Sequence, residues 1–246
     1  MPEEKLSEDQ KKFFETIASW DEFAIANWFK VRALQEFDER ALRNEATYHA
    51  LFNYSQWIER ATKIILTLHR RDITNANLNL DALNRAQSHS IITPLDRIIA
   101  ICEDAGIAPD LIQSAKLALS HPDVVSFLKI VEGVADAKIG RYQNLKTASG
   151  DHTNTAYTMN LGAVLKNASE SRQECALKAE VRDDREEFFQ REMLFIRSIS
   201  EVITFLLHFP VKQGVIGERA KRELAMSTYR IPNPEVFDYL SNTRPQ

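Results

Sequence analysis

Glycine and proline are scarce in this 246-residue chain, which contains 7 glycines and 8 prolines. Tight β-turns and phosphate-binding loops depend on glycine, so the sequence has little material for either. The patterns G-x-x-x-x-G-K-S/T, G-x-G-x-x-G, G-x-S-x-G and H-E-x-x-H are all absent. These absences disfavour sheet-rich folds and the common nucleotide, hydrolase and zinc-protease sites. We therefore expect neither a metal nor a cofactor.

Cysteine is also rare, because only Cys102 and Cys175 occur, far apart and without a C-x-x-C pair. Two such residues are typical of small buried side chains in a reducing compartment. The polar, acidic start of the chain, residues 1–5, does not have the pattern of a signal peptide. We therefore expect a cytoplasmic protein.

Long apolar runs are missing. The most apolar stretch, residues 195–209, is interrupted by Arg197 and Glu201 and is shorter than the roughly 20 residues that span a bilayer. The sequence therefore predicts a core helix here and no association with a membrane.

The formal net charge of the chain is −4. Proteins that bind nucleic acids often carry excess positive charge, because neutralising phosphates drives their affinity. The charge balance argues against broad, nonspecific DNA binding, but it permits a local basic patch.

The first helical pattern follows Ser7, which has capping-box spacing to Gln10. Apolar residues then recur every three or four positions, which predicts the apolar stripe of an amphipathic helix. Residues 19–22 would serve equally as a second cap, so the sequence permits one helix or two. The stripe comprises Phe13, Ile17, Trp20, Ala24, Trp28, Val31 and Leu34.

The clearest helical pattern spans residues 42–70 and has two distinct faces, which predicts a long helix crossing the bundle. Its apolar stripe comprises Leu42, Ala46, Ala50, Tyr54, Trp57, Ala61, Ile64 and Leu68. Its polar line comprises Glu45, His49, Asn53, Gln56, Arg60, Lys63, Thr67 and Arg70.

Proline and glycine mark the shorter helices that follow. Thr93 is the predicted N-cap of one helix, and Gly106 is its predicted C-terminal stop. Further helices are predicted to start at Pro109 and Pro122. A long helical stretch is predicted to end at Pro210, and the last two helices start near Glu218 and at Asn233-Pro234.

These elements predict an all-α multi-helix bundle with an antiparallel up-and-down core and additional C-terminal helices. The polar segment 147–158 is the best candidate for a linker or mobile loop. The expected organisation is therefore a helical bundle over residues 1–148 and a C-terminal helical extension, residues 149–246, packed on it.

One candidate catalytic pattern is present at Arg43, Asn44 and His49. In a metal-independent ribonuclease, histidine acts as general acid or base while arginine stabilises the charge on the phosphate. In a regular helix the side chains of Arg43 and His49 would point about 120° apart. They would converge if Arg43 starts the helix, or across a two-fold dimer. Alternatively, Arg43 is a surface charge and His49 belongs to the polar line.

Four basic residues, Arg60, Lys63, Arg70 and Arg71, are candidate RNA-binding groups. The alternative for Arg70 and Arg71 is that they solvate the C-terminal end of the helix, where positive charge is favoured.

Three segments resemble the HEPN superfamily of helical bundles. Residues 54–68, with Glu59-x-x-x-Lys63 among apolar residues, are similar to its long second helix. Ser88-His89, followed by Leu95, resembles its interhelical H-x-L element, and residues 137–142, ending in Arg141-Tyr142, resemble its R-Y element. Together the segments cover a HEPN-like core at about 40–146.

This resemblance implies a four-helix core, frequent dimers and RNA association in a prokaryotic defence or toxin–antitoxin type system. Many members cleave RNA without metal through an Arg-x(4–6)-His motif late in the domain. Here the matching residues, Arg43 and His49, lie early, and nothing suitable follows Arg141. The departure favours an RNA-associated protein without ribonuclease activity.

The alternative hypothesis is a helical interaction or scaffold module with no catalytic role, whose partner is another protein or a second copy. RNA association predicts that the four basic candidates form one positive patch near His49. A scaffold predicts an exposed apolar patch of roughly several hundred Å² instead. A small-molecule enzyme has the least support, because no ligand-binding constellation is visible.

Overall fold

A computed structural model describes residues 8–39, 44–74, 90–135, 157–172, 184–224 and 230–241. Within these ranges the chain is helical and forms no strand, which confirms the predicted all-α bundle. The helices are α1 (Glu8–Glu39), α2 (Asn44–Thr74), α3 (Ile92–Asp104), α4 (Pro109–Ser120), α5 (Pro122–Ala135), α6 (Tyr157–Ser171), α7 (Asp184–Lys212), α8 (Glu218–Glu223) and α9 (Pro234–Ser241).

The two long helices α1 and α2 form an antiparallel pair, the most extensive helix–helix contact in the described part of the chain. Glu22, early in α1, pairs with Arg60, late in α2, while Phe37 near the end of α1 packs on Tyr54. The first helix is continuous, so the second cap predicted at residues 19–22 does not interrupt it.

The face of α1 that packs against the bundle differs from the predicted apolar stripe. Phe23, Ala26, Ala33 and Phe37 are the buried apolar residues of this helix. Small alanines let two helix backbones approach closely, so α1 packs on its alanine side. Trp20, Ala24, Trp28 and Val31, four members of the predicted stripe, are exposed on the opposite side, while Leu34 is half-buried.

Helix α7 runs through the centre of the fold and packs against α1, α2, α3, α4, α6, α8 and α9. By length and composition alone, Phe189–Lys212 is apolar enough to cross a membrane, yet 78% of its most apolar window is buried inside the fold. The core-helix prediction for residues 195–209 is confirmed by this burial.

The end of α7 departs from the prediction. Pro210 lies inside the helix, which continues to Lys212. A proline lacks the N–H donor and its ring crowds the carbonyl four residues earlier, but its own carbonyl can still accept. The carbonyls of Phe209 and Pro210 still accept from the backbone N–H groups of Gln213 and Val215, each at 2.9 Å, and the turn therefore forms.

Most predicted helix boundaries are confirmed. Gly106 follows the end of α3 with a positive φ of 64°, which glycine adopts without strain. α4 and α5 begin at Pro109 and Pro122 as predicted, and Asn233 caps α9 by accepting from the N–H of Glu235 at 3.3 Å.

The N-cap predicted at Thr93 is wrong, because α3 already begins at Ile92. The backbone N–H before the helix, that of Ile91, donates to Glu132 Oε1 of α5 at 3.2 Å. The carboxylate of a neighbouring helix therefore satisfies the backbone donor at the start of α3, and no side chain caps the helix.

A buried arginine joins four helices. The guanidinium of Arg172, just after α6, donates to Asp123 Oδ2 at 2.7 Å and to the carbonyls of Tyr239 and Leu240 at 2.9 and 3.0 Å. It also lies 5.0 Å from the ring of Phe195. Because its side chain is fully buried, Arg172 has a structural role, tying α5, α6, α7 and α9 together.

One hydrophobic core contains buried residues from both predicted segments, 1–148 and 149–246. For example, Phe127 of α5 contacts Phe195 of α7 with ring centroids 6.2 Å apart. The division into bundle and extension remains a prediction.

Candidate functional site

Two of the predicted catalytic residues, Asn44 and His49, lie in the first turns of α2. Arg43 is outside the described residues, and of Asn44 only the backbone is described, as the first residue of α2. His49 is exposed, and its ring contacts that of Tyr48 edge to face at 5.8 Å. A solvent-facing imidazole is accessible to a substrate, whereas its approach to Arg43 remains a prediction.

The predicted RNA-binding residues share one side of α2. At about 100° per residue, His49, Arg60, Lys63 and Arg70 fall within an arc of about 80°. Arg70 is exposed, and the side chain of Arg71 is outside the described residues. The helix therefore presents these basic groups in the same direction as the candidate histidine.

Two of these basic residues are held by carboxylates of the same chain. Arg60 pairs with Glu22 of α1 at 2.9 Å, and Lys63 pairs with Glu59, one turn earlier, at 2.5 Å. A paired cation offers less net charge to a phosphate than a solvated one. The middle of the α2 face is thus less positive than its sequence implies.

The most unusual surface of the described part of the chain is an exposed apolar stripe on α1. Trp20, Ile25, Trp28 and Val31 retain 43, 42, 60 and 51% of their accessible surface. Single exposed apolar side chains are common, but a row of four on one helix is a candidate interaction surface. The helical spacing of this stripe was visible in the sequence, whereas its exposure was not.

The stripe continues into the basic face of α2. The ring of Trp28 contacts that of Phe29 edge to face at 5.2 Å, and the guanidinium of Arg60 lies 5.5 Å from the centre of the Phe29 ring. Aromatic and cationic groups therefore meet where α1 and α2 adjoin.

Two charged residues lie on one side of the stripe's centre, because Asp21 and Arg32 point between the directions of Trp28 and Ile25. Asp21 is exposed near its start, and Arg32 lies eleven residues, about three turns, further on. Arg32 is 43% exposed and also pairs with Glu36 within α1. The stripe thus has an acidic and a basic end on the same flank.

Two buried titratable groups are unsuited to catalysis. Burial raises the pKa of the Cys102 thiol to about 12, with the nearby Glu103 adding to the effect, so it stays protonated and is a poor nucleophile. Burial also raises the pKa of Tyr54, whose hydroxyl lies 2.9 Å from Ser200 Oγ. These groups stabilise the core.

Among the described residues, no group of three or more histidine, cysteine or acidic side chains is arranged to hold a metal ion. No protein-family model, curated protein or solved structure shows a significant match to this chain.

Proposed function

We propose that this protein is a helical interaction module that pairs with a second copy of itself through the exposed stripe of α1. The observation that supports the proposal most is the exposure of Trp20, Ile25, Trp28 and Val31 on one long helix. Tryptophan is the residue type most enriched among those that dominate interface energetics, because it buries a large area with few rotatable bonds.

The stripe is complementary to itself in an antiparallel arrangement. A two-fold axis near position 26 places small Ala24 of one chain against the partner's Trp28, so that a large side chain meets a small one. The same axis brings Asp21 beside the partner's Arg32 on the shared flank, twice by symmetry. In a parallel arrangement the two-fold axis would put this flank of each helix on opposite faces of the dimer, so Asp21 and Arg32 would not meet.

A charge-swap series tests this geometry. Sedimentation velocity of Arg32→Glu is expected to show weaker dimerisation than wild type by about tenfold, because each of two symmetric pairs becomes repulsive. The double variant Asp21→Arg/Arg32→Glu restores opposite charges and should recover most of the affinity. Lys129→Glu, an exposed charge change on α5, is the matched control.

The double variant should recover dimer affinity only if Asp21 of one chain lies beside the partner's Arg32. If Arg32→Glu and Lys129→Glu dimerise equally well, or if the double variant is weaker still, the antiparallel α1 pairing is wrong.

A second candidate function is RNA association of the HEPN type, without ribonuclease activity. It is supported by the shared direction of His49, Arg60, Lys63 and Arg70 on α2 and by the aromatic rings of Trp28 and Phe29 beside Arg60. Bases stack on exposed aromatic rings while cations follow the phosphate backbone, which is how many proteins hold single strands.

This candidate is tested with a pool of single-stranded and structured RNA, without metal. Arg70→Gln should weaken RNA binding and reduce the salt dependence of the affinity by the amount expected for about one phosphate contact. Lys166→Gln, at a 60% exposed side chain on α6, is the matched control and should change neither. Cleavage that is lost in Arg43→Ala/His49→Ala would identify a metal-independent ribonuclease. Equal RNA affinity of Arg70→Gln and Lys166→Gln would remove the RNA hypothesis and leave the dimer proposal untouched.

A further inference from the structure

A groove of about 770 Å³ lies between α1, α7 and the segment that leads into α9. Its volume is in the range of about 300–1,000 Å³ that is typical of sites for small molecules. The groove lies on the inner side of α1, away from the exposed stripe, because the side chain of Lys30 that lines it projects among the buried residues Ala26, Ala33 and Phe37.

Lys30 provides a partly desolvated positive charge at this groove. Its ammonium donates to Thr204 Oγ1 at 3.3 Å and lies 5.6 Å from the centre of the Trp57 ring. Burial lowers the pKa of Lys30, and the charge of Glu201 opposes that effect. An ammonium held by a hydroxyl and a ring retains donors for a further acceptor.

The hydroxyl beside Lys30 is oriented to accept. Thr204 donates its own proton to the carbonyl of Ser200 at 2.6 Å, so its oxygen presents a lone pair to the ammonium. Ser200 Oγ in turn donates to the carbonyl of Ile196 at 2.8 Å and lies 2.9 Å from the buried hydroxyl of Tyr54. This network fixes the side of the groove that α7 forms.

Two arginines add to the positive charge. Arg197 lines the groove and is held by both carboxylate oxygens of Asp38, at 2.8 and 3.0 Å. Arg230, on the segment before α9, also lines the groove and is exposed. Two carboxylates oppose these three cations, Glu201 in the lining and Asp38 on Arg197, so one positive charge is in excess although the whole chain has a net charge of −4. The local excess of positive charge favours an anionic ligand.

The remaining lining consists of the polar side chain of Asn233 and three apolar side chains, Leu34, Ile231 and Val236. A ligand that fills the groove therefore needs an apolar portion as well as a charged one.

We propose that this groove binds a small phosphate monoester with an apolar substituent, with the phosphate between Lys30 and Arg230 and the substituent against Leu34, Ile231 and Val236. Cations and hydroxyl groups donate to phosphate oxygens in charge-assisted hydrogen bonds, which are stronger than neutral ones. The site is independent of the α1 stripe, so its occupation does not require the dimer.

Isothermal titration calorimetry with hexyl phosphate, inorganic phosphate and hexanol tests the proposal. Hexyl phosphate should bind more tightly than either inorganic phosphate or hexanol, because only it has both parts. Arg230→Gln, at an exposed position, should weaken hexyl phosphate binding by about ten- to a hundredfold, the cost of one charge-assisted hydrogen bond. Lys166→Gln, an exposed cation on α6, is the matched control and should bind as wild type does.

Lys30→Gln should abolish binding, and circular dichroism reports whether this variant is folded. Vesicles that contain phosphatidic acid distinguish a lipid headgroup from a soluble ester: cosedimentation with the vesicles that is lost in Arg230→Gln identifies the lipid as the source. Absence of hexyl phosphate binding to the wild type, or equal affinities for Arg230→Gln and Lys166→Gln, would overturn the proposal.

Discussion

Trp28 packs the edge of its ring against its neighbour Phe29, with centroids 5.2 Å apart and an interplanar angle of 76°, yet it leaves 60% of its surface in solvent. Phe29 is half-buried against the core and lies under Arg60. The contact therefore holds the larger ring in a fixed position at the surface. A tryptophan supported in this way is prepared for an interface at little further entropic cost.

The exposed stripe should contribute little to the stability of the single chain. Trp28→Gln is expected to lower the free energy of unfolding by about 1 kcal/mol or less, the value of one exposed aromatic contact. Phe37→Ala, which removes a fully buried ring that contacts Tyr54 and Phe127, should lower it by about 3–5 kcal/mol. Urea unfolding at low protein concentration measures both losses, because dimerisation then contributes least to the free energy of unfolding. A large loss in Trp28→Gln would make Trp28 a structural residue.

His208 should make the protein less stable in mild acid. Burial, together with the positive charges of Lys30 and Lys212, lowers the pKa of His208 to about 4. In the unfolded chain its pKa is about 6.5, so the unfolded state binds more protons between these two values. The stability contribution is therefore complete above pH 6.5 and is lost as the pH falls to 4, by about 3 kcal/mol.

Variant proteins separate this effect from the titration of carboxylates. Urea unfolding from pH 7 to pH 4 should show a shallower loss of stability for His208→Gln than for wild type. His49→Gln, which replaces an exposed histidine, is the matched control. Parallel pH profiles of wild type and His208→Gln would contradict the account of this residue.

Arg172 should be among the most important single residues for folding. Arg172→Met removes the donors to Asp123 and to the carbonyls of Tyr239 and Leu240, and is expected to cost about 3–5 kcal/mol. Lys116→Met removes the exposed ion pair with Glu103 and should cost under about 1 kcal/mol. Thermal unfolding of both variants checks the contrast, and equal losses would show that the buried network contributes nothing beyond a surface pair.

The sequence was sufficient to predict the helices because local signals determine them. Proline at positions 109 and 122 fixes the backbone for a first helical turn, and Gly106 adopts the left-handed conformation after α3. The spacing of apolar residues along α2 likewise predicts a helix whatever surrounds it.

The face that each helix buries depends on its neighbours and was harder to predict. In α1 the side with the larger apolar residues, including two tryptophans, is exposed. The side with Ala26 and Ala33 packs closely and is buried. Lys30 lies on that inner side, where Thr204 and Trp57, remote in sequence, contact its ammonium.

Contacts between distant residues explain the remaining differences. Arg172 meets Asp123, Tyr239 and Leu240, which are 49 to 68 residues away along the chain. Glu132, on a different helix, accepts from the backbone N–H of Ile91 that precedes α3, 41 residues away. No local pattern predicts such pairs.

The association state of the wild-type protein tests the central claim most directly. Sedimentation equilibrium over a range of concentrations should give a molar mass that rises towards twice the 28.2 kDa of the chain. Trp28→Lys, which buries a charge at the centre of the proposed interface, should remain at the mass of one chain throughout. A wild-type protein that stays at one chain mass, or a dimer that Trp28→Lys leaves intact, would contradict pairing through α1.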